Sequence, residues 1–252
     1  MTFPSVSVVL PAFNEATNLP STVANLSSEL RRLELNYEII VVNDGSTDDT
    51  PEVCQRLIET EKNLRLVSHE TNRGYGAALR TVFANARHDF VYLTDADGQF
   101  DVEHFPEFLS RASDADAVIG YREARSDLKH RLLLSRTGNW IARRAFDLSV
   151  RDINCAAKLL RRSRLMSLQL YSNGAMISTE LLYRAQQDNW KIVELPVNHF
   201  SRNSGRATGA RVSVIARTIF EFLKLSLSAA QRVPRRAQPA AVVTRPAAPS
   251  PD

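Results

Sequence analysis

The sequence has few cysteines and no long apolar runs, which excludes several classes of protein. Only 2 of its 252 residues are cysteine, Cys54 and Cys155. They lie far apart without metal-binding spacing, so we expect reduced thiols rather than a disulfide framework or a zinc site. No stretch of about 18 uncharged apolar residues is present, so no transmembrane helix is expected. The start, MTFPSVSVVLPAFNE, lacks a basic region before its apolar residues, and we predict no signal peptide.

Charge of one sign does not dominate the whole chain, but it is unevenly distributed. The formal net charge is +4. Residues 1–120 carry 9 Lys/Arg against 19 Asp/Glu, a net charge of −10, whereas residues 121–164 carry 12 against 4, a net charge of +8. The pI of about 9.3 therefore does not by itself indicate nucleic-acid binding, and we predict no nucleic-acid partner.

The first half of the chain alternates apolar strand patterns with helix patterns. The strand-like segments are SVSVVLP (5–11), YEIIVVND (37–44), NLRLVSH (63–69), DFVYLTD (89–95) and ADAVIGYR (115–122). Helix patterns separate them, and one begins at Asp49 or Thr50 as its cap, with Pro51 in its first turn. Near-continuous apolar strands that alternate with helices predict an α/β fold, with a Rossmann-like, mostly parallel sheet covered by helices on both faces.

After residue 122 the composition changes. A basic and apolar helix is predicted over 126–148, and another helix over 211–228, so we expect peripheral amphipathic helices. We predict one domain over 1–230, with a nucleotide- and metal-binding half at 1–122 and an acceptor half at 123–230. Five of the 11 prolines follow Gln231, so residues 231–252 are predicted to be a disordered Pro/Ala/Arg tail.

Carboxylates occupy the ends of two predicted strands. Asp95 and Asp97 follow the fourth strand, and Asp44 ends the second. Ligands of parallel sheets bind beyond the carboxyl ends of the strands. Mg²⁺ or Mn²⁺ takes carboxylate and phosphate oxygens as ligands and would relieve the repulsion between the two neighbouring aspartates. A solvated acidic turn is the usual explanation of an isolated Asp-x-Asp, but the second acidic strand end favours a metal and diphosphate site.

Four segments carry a family resemblance. They are VVLPAFNE (8–15), VVNDGSTDDT (41–50), NRGYGAALRT (72–81) and TDADGQF (94–100). In this order and spacing they resemble family-2 glycosyltransferases of the GT-A fold, and within that family the polyprenyl-phosphate glycosyltransferases, which include the dolichol-phosphate mannose synthases. The resemblance implies inverting transfer of a sugar from a GDP- or UDP-sugar to a polyprenyl phosphate, with GDP-mannose as the favoured donor and Mg²⁺ or Mn²⁺ as cofactor.

The resemblance assigns donor-binding roles to individual positions. The positions that match nucleoside contacts are Pro11, Ala12, Phe13, Glu15 and Asp44. The positions that match metal and diphosphate ligands are Asp95, Asp97 and Gln99, with Ala96 between the two aspartates. Arg202 matches a mobile arginine near the donor phosphates. By contrast, we interpret Tyr75 as a packing residue, and the five histidines as structural or surface residues.

Acceptor roles fall on the basic segment. Arg122, Arg131 and Ser135 match groups that contact the acceptor phosphate in the mannose synthases. Arg131 and Ser135 are four residues apart on a predicted helix and share a face, where a guanidinium and a hydroxyl suit a phosphate. We therefore count both with Asp95 and Asp97 as candidate catalytic residues. The alternative is that Arg131 is solvated and the neighbouring leucines are core.

Two departures from the family pattern bear on the acceptor. Where many family-2 enzymes carry an acidic base, this chain reads NGAMISTELLYRA, with Glu180 as its acid. A phosphate acceptor is already anionic and needs no strong base, so this departure fits a lipid phosphate. A Ser-Gly-Phe run that usually follows the position of Asp152 is also missing, which leaves the sugar and the lipid open.

Two other functions stay open on the sequence alone. One is transfer to a hydroxyl of a cell-wall or soluble acceptor, and the other is a non-catalytic nucleotide- or membrane-binding scaffold. For the lipid acceptor we expect a cytoplasmic protein bound peripherally to the cytoplasmic membrane surface through its basic helix. Recruitment by a separate membrane protein is the alternative.

Overall fold

The structure, a computed structural model, describes residues 3–99, 102–125, 129–200 and 212–230, with the side chains of 124–136, 212, 213, 215 and 230 outside this description. The strands are β1 Val6–Ala12, β2 Tyr37–Asp44, β3 Leu64–His69, β4 Phe90–Leu93, β5 Ala117–Arg125, β6 Lys158–Arg161 and β7 Ile192–His199. The helices are α1 Leu19–Arg32, α2 Thr50–Thr60, α3 Tyr75–Asn85, α4 Phe105–Ser110, α5 Lys129–Phe146, α6 Arg162–Ser167, α7 Ile177–Gln187 and α8 Val212–Ala230. A short 3-10 helix, Val102–His104, precedes α4.

These strands form one seven-stranded sheet in the order β3-β2-β1-β4-β6-β5-β7. All neighbouring pairs are parallel except those of β6, which runs antiparallel to both β4 and β5. The predicted mostly parallel α/β sheet is confirmed. Because β1, β2 and β4 are mutually parallel, their carboxyl ends meet at one edge of the sheet.

Each face of the sheet buries its own apolar core, as alternating side chains on a doubly covered strand require. Val8 and Leu10 of β1 pack with α1, α2 and α4 on one face. Val9, between them, packs with α3, α5 and α7 on the other. The sheet is therefore held from both sides, which fixes the positions of the loops at its carboxyl edge.

The start of α2 differs in one detail from the sequence prediction. Asp49 is the N-cap residue, with Pro51 in the first turn as predicted, but its side chain makes no capping bond. Asp48 accepts the Thr50 N–H instead, at 3.0 Å.

The membrane-related predictions rest on the second half of the chain. Both predicted amphipathic helices are present, as α5 and α8. Across the part of the chain that the structure describes, every helix is too short or too polar to cross a bilayer. The predicted tail, 231–252, lies outside the described residues.

Candidate active site

A cavity of about 740 Å³ opens at the carboxyl edge of the sheet. It is lined by the ends of β1 and β2, the turn after β4, the start of α3, residues 174–175 and the first turns of α8. This volume lies within the range of about 300–1,000 Å³ that is usual for small-molecule sites. The cavity is where a ligand of a parallel α/β sheet is expected.

The loops that follow β1 and β2 are tied together at this edge. The Thr47 N–H donates to Asn14 Oδ1 at 2.8 Å, and the Glu15 N–H donates to Thr50 Oγ1 at 2.9 Å. The Asn14 backbone has a φ of +58°, which asparagine tolerates better than most residues. Glu15 is buried, and its Oε2 accepts a bond from Asn18 Nδ2 at 2.7 Å. The two loops therefore form one preformed wall.

Asp44, at the end of β2, uses its carboxylate to hold the loop that leads to α3. Its Oδ1 accepts bonds from His69 Nδ1 at 2.7 Å and from the Arg73 N–H at 2.9 Å. Its Oδ2 accepts the Gly74 N–H at 2.8 Å. The other ring nitrogen of His69 bonds the Thr81 hydroxyl at 2.9 Å. Asp44 thus lines the cavity and also shapes the loop beside it.

Asp95 and Asp97 lie in the turn after β4. Asp97 is buried, and its Oδ1 accepts the Gln99 N–H at 3.1 Å. The Tyr75 hydroxyl donates to Asp95 Oδ1 over 3.5 Å. Burial, and then the negative charge of Asp95, raises the pKa of Tyr75 well above its ordinary value of 10. Its phenol is therefore neutral and acts as a donor toward the carboxylate.

Two cations in the protein interior help to offset the negative charge of this turn. Lys158 is fully buried opposite Leu93, the last residue of β4, and donates to the Ile153 carbonyl oxygen at 3.1 Å. Burial lowers the pKa of its ammonium group, and nearby acidic groups that include Asp95 offset part of that shift. Arg122 also interacts electrostatically with Asp95.

Arg122 itself forms a buried ion pair. Its Nε lies 2.7 Å from Asp152 Oδ2, and its Nη2 lies 2.9 Å from Oδ1. Burial alone would lower the pKa of the guanidinium, but the hydrogen bonds and charge of Asp152 outweigh it and raise that pKa. The structure therefore does not bring Arg122 to the cavity wall, and its predicted contact with the acceptor phosphate stays a prediction.

The segment 171–175 completes one wall and is fixed by acidic side chains. Glu180 is buried, and its Oε2 accepts the backbone N–H groups of Tyr171 and Ser172 at 3.0 and 2.7 Å. Its Oε1 accepts a bond from Arg184 at 2.8 Å. Glu221 of α8 accepts the N–H groups of Asn173 and Gly174. Glu180 therefore supports the wall and is not a base that faces the cavity.

Most of the predicted donor-binding residues meet in this cavity. Those that line it are Pro11, Ala12, Phe13, Glu15, Asp44, Asp95, Ala96 and Asp97. Gln99 instead donates from Nε2 to the Phe200 carbonyl oxygen at 2.9 Å, which ties the acidic turn to the end of β7. The side chains of Arg131 and Ser135, and all of Arg202, lie outside the described residues.

Three residues of this region were not predicted from the sequence to be site residues. Tyr75 lines the cavity, so the interpretation of it as a packing residue is incomplete. Lys158 had a usable signal, because a lone cation inside the apolar run AAKLL needs buried partners. Arg217 of α8 also lines the cavity, and its helical periodicity alone gives no sign of this.

The sequence model of glycosyl transferase family 2 matches residues 7–167, the segment that supplies most of the cavity. The chain belongs to this family. One relative is glycosyltransferase AglD of Haloferax volcanii, to which this chain is 32% identical over 203 residues. The match covers 77% of this chain and 32% of AglD. This chain is 31% identical over 229 residues to an uncharacterized glycosyltransferase of Mycobacterium bovis, covering 88% and 97% of the two chains.

Solved structures confirm the GT-A-like fold of the family-2 chain. Glucosyl-3-phosphoglycerate synthase from Mycobacterium tuberculosis, in complex with Mn²⁺ and UDP-glucose, superposes with a TM-score of 0.68 at 21% identity, covering 92% of this chain and 81% of that one. None of these three proteins is named as a polyprenyl-phosphate mannose synthase. The closer resemblance to those enzymes therefore stays a prediction.

Proposed function

We propose that the chain transfers a sugar from a nucleoside diphosphate sugar, with a divalent cation held at Asp95 and Asp97. The observation that carries the proposal is that these carboxylates line the same cavity as Glu15 and Asp44, the predicted nucleoside contacts. A donor that spans the ends of β1, β2 and β4 would place its diphosphate beside the two aspartates.

The residues present fit a hard divalent cation. Within the described ranges, no group of three His, Cys, Asp or Glu side chains is arranged to hold a metal by itself. Mg²⁺ and Mn²⁺ are commonly bound by one or two carboxylates, with substrate phosphates and water as the remaining ligands. The mycobacterial synthase is complexed with Mn²⁺ and UDP-glucose, which supports a divalent metal cofactor. Such a cation would neutralise charge on the leaving diphosphate.

The donor is proposed by class. The resemblance to mannose synthases favours GDP-mannose, whereas the mycobacterial synthase has been solved with UDP-glucose. The structure offers the same hydrogen-bonded wall, from Asn14 to Thr50, to either nucleoside. We therefore propose a GDP- or UDP-sugar.

The comparisons favour a hydroxyl of a soluble acceptor. The mycobacterial synthase has been solved with phosphoglyceric acid, a small phosphorylated molecule, together with Mn²⁺ and UDP-glucose. Its likeness to this chain is one of fold. Because phosphoglyceric acid is bound there, a phosphorylated compound with a hydroxyl group is the first acceptor to test.

A polyprenyl phosphate is the second candidate, and the outer surface of α8 favours it. Ile219, Phe220, Leu223 and Leu227 are each more than half exposed. On the opposite side of the helix Leu225 is buried, and Phe222 packs against Phe146 of α5 at 5.5 Å between ring centroids. An exposed apolar stripe beside a cavity suits a lipid acceptor at a membrane surface.

The cytoplasmic face of a membrane is the proposed location for the second candidate. Lys224 on α8 and both Arg143 and Arg144 on α5 are exposed, and each basic group near an anionic leaflet contributes about 1 kcal/mol. Trp140 of α5 is also exposed. Recruitment by a separate membrane protein is the competing explanation.

Product analysis tests the function. The protein would be incubated with GDP-mannose and UDP-glucose, each with 3-phosphoglycerate or with undecaprenyl phosphate in detergent, with Mn²⁺ or with EDTA. Sugar on the water-soluble compound selects the first acceptor class, and an acid-labile sugar on the extracted lipid selects the second. Nucleotide binding without transfer in any combination would favour the non-catalytic scaffold.

Vesicle flotation tests the membrane proposal. We expect the protein to float with anionic vesicles at low salt and less at high salt, because salt screens the charge term. A variant with Leu223→Gln and Leu227→Gln should float less, whereas Met166→Gln, an exposed apolar residue on α6, should not change flotation. Failure of the unmodified protein to float at low salt would favour recruitment by a partner.

A further inference from the structure

Arg217 brings a cation to the wall of the cavity that faces α3. It lies in the second turn of α8 and lines the cavity. A Cβ built on Gly74 would come within 2.6 Å of Arg217 Nη1, and one built on Gly174 within 3.2 Å of its Cδ. The side chain therefore lies directly over two stretches of backbone that have no side chains of their own. Gly74 has a φ of +101°, so a larger residue there would be strained as well as crowded.

The guanidinium is not neutralised by the described residues around it. None of the ion pairs between them includes Arg217. Glu221, one helical turn further on, directs its carboxylate to the backbone N–H groups of Asn173 and Gly174. Glu221 thus holds the wall on which Arg217 lies and leaves the cation available to a ligand.

Carboxylates line the same cavity, and two of them, Asp95 and Asp97, are assigned above to the divalent cation. A ligand that reaches both positions must therefore bind the divalent cation as well as the guanidinium of Arg217. A phosphate does both, because its oxygens coordinate hard cations and match the donors of a guanidinium in pairs.

We propose that Arg217 binds a phosphate group of a ligand in this cavity. The inference rests on the proposed function and extends it by naming a cationic residue that lies outside the four sequence motifs. The phosphate belongs either to the donor diphosphate or to a phosphorylated acceptor. Ile219, an exposed apolar residue of α8, lies two positions further along the helix, so the same position serves a lipid phosphate as well as a soluble one.

Paired ligands that differ only in phosphate test the proposal without turnover. UDP and uridine, and farnesyl phosphate and farnesol, would be titrated by calorimetry into the unmodified protein, Arg217→Gln and Arg217→Lys, in the presence of Mn²⁺. Arg56→Gln is the matched control, because Arg56 is an exposed arginine of α2 that does not line the cavity. Circular dichroism and thermal unfolding would confirm that each variant is folded.

We expect Arg217→Gln to weaken binding of at least one phosphorylated ligand by about tenfold or more, with Arg217→Lys in between and Arg56→Gln unchanged. Weakening of UDP assigns the donor phosphate, and weakening of farnesyl phosphate assigns an acceptor phosphate. Equal affinities in the unmodified protein and Arg217→Gln, or equal losses for ligands with and without phosphate, would overturn the proposal. Failure of the unmodified protein to bind any of the four ligands would instead overturn the proposed function along with it.

Discussion

The ends of β2 and β4 both place an aspartate at the carboxyl edge of the sheet, but the two aspartates contact different groups. Asp44, at the end of β2, is bonded to His69 and to the backbone of Arg73 and Gly74. Asp95, after β4, has the Tyr75 hydroxyl beside it at 3.5 Å, the longest distance that still counts as a hydrogen bond. The carboxylate of Asp44 organises the loop that leads to α3, whereas Asp95 lines the ligand cavity next to Asp97, with which it forms the proposed cation site.

This difference in contacts shows that the surrounding groups decide the role of a carboxylate at the end of a strand. Strong donors from the backbone and from a buried imidazole use the lone pairs of Asp44 and fix its position. Asp95 interacts electrostatically with two more distant cations, Lys158 and Arg122, neither of which lines the cavity. We therefore expect substitutions at the end of β4 to affect catalysis most, and those at the end of β2 to affect structure as well.

The largest effect is expected from Asp97→Asn. Asparagine retains an oxygen to accept the Gln99 N–H but removes the charge that would bind the cation. Loss of metal stabilisation worth about 4 kcal/mol would lower the rate of transfer about 1,000-fold. The melting temperature should stay close to that of the unmodified protein.

Asp114→Asn, an exposed carboxylate on the surface, is the matched control and should retain activity. Initial rates at saturating donor and Mn²⁺, together with thermal unfolding, provide the measurement. Turnover close to normal in Asp97→Asn would remove this residue from the proposed metal site and make the two strand ends alike.

Asp44→Asn should reduce both activity and stability. The amide has one oxygen for three donors, so its NH₂ group must face at least one protein N–H. A lost buried bond to a charged group costs roughly 2 kcal/mol, which lowers the melting temperature of a domain this size by about 4–8 °C. A variant with a normal melting temperature would contradict the structural role assigned to Asp44.

His69 offers a graded version of the same test. His69→Asn keeps a donor near the position of Nδ1 and loses the bond to Thr81, whereas His69→Leu loses both. We expect thermal stability and UDP affinity to fall in the order unmodified, His69→Asn, His69→Leu, with about 1 kcal/mol of stability per lost bond. Equal values for the two variants would show that the bond to Asp44 contributes nothing measurable.

Thr81→Val removes the bond between Thr81 and His69 but leaves the bond between His69 and Asp44 in place. It should match His69→Asn in stability. A larger loss than that of His69→Leu would point to packing around Thr81 rather than to the hydrogen bond.

Sequence reasoning located the fold and most of the cavity because both depend on local patterns. Apolar runs predicted β1 to β5, and parallel strands must bring the ends of β1, β2 and β4 together. The roles of Tyr75, Lys158 and Arg217 depend on contacts between segments far apart in the chain. Arg217 lies against Gly74, which comes 143 positions earlier in the chain. No periodicity in either segment predicts that contact.

Tyr75→Phe is expected to have the smallest effect and is the finest test of the contrast between the two strand ends. The variant removes the hydroxyl that donates to Asp95 and leaves the ring in place, so the loss should be a weak bond worth about 0.5–1 kcal/mol, or roughly a two- to fivefold rise in the Mn²⁺ concentration for half-maximal rate. Because the pKa of Tyr75 is raised well above 10, its protonated form is favoured by folding, and any stabilisation from it is present below pH 10 and is lost as the pH rises beyond that value. The difference in melting temperature between the unmodified protein and the variant should therefore be constant from pH 7 to 9. A change of that difference within this range, or a loss of activity as large as that of Asp97→Asn, would mean that the phenol carries charge or contacts the reacting groups, and Tyr75 would then have a larger role than a supporting bond to Asp95.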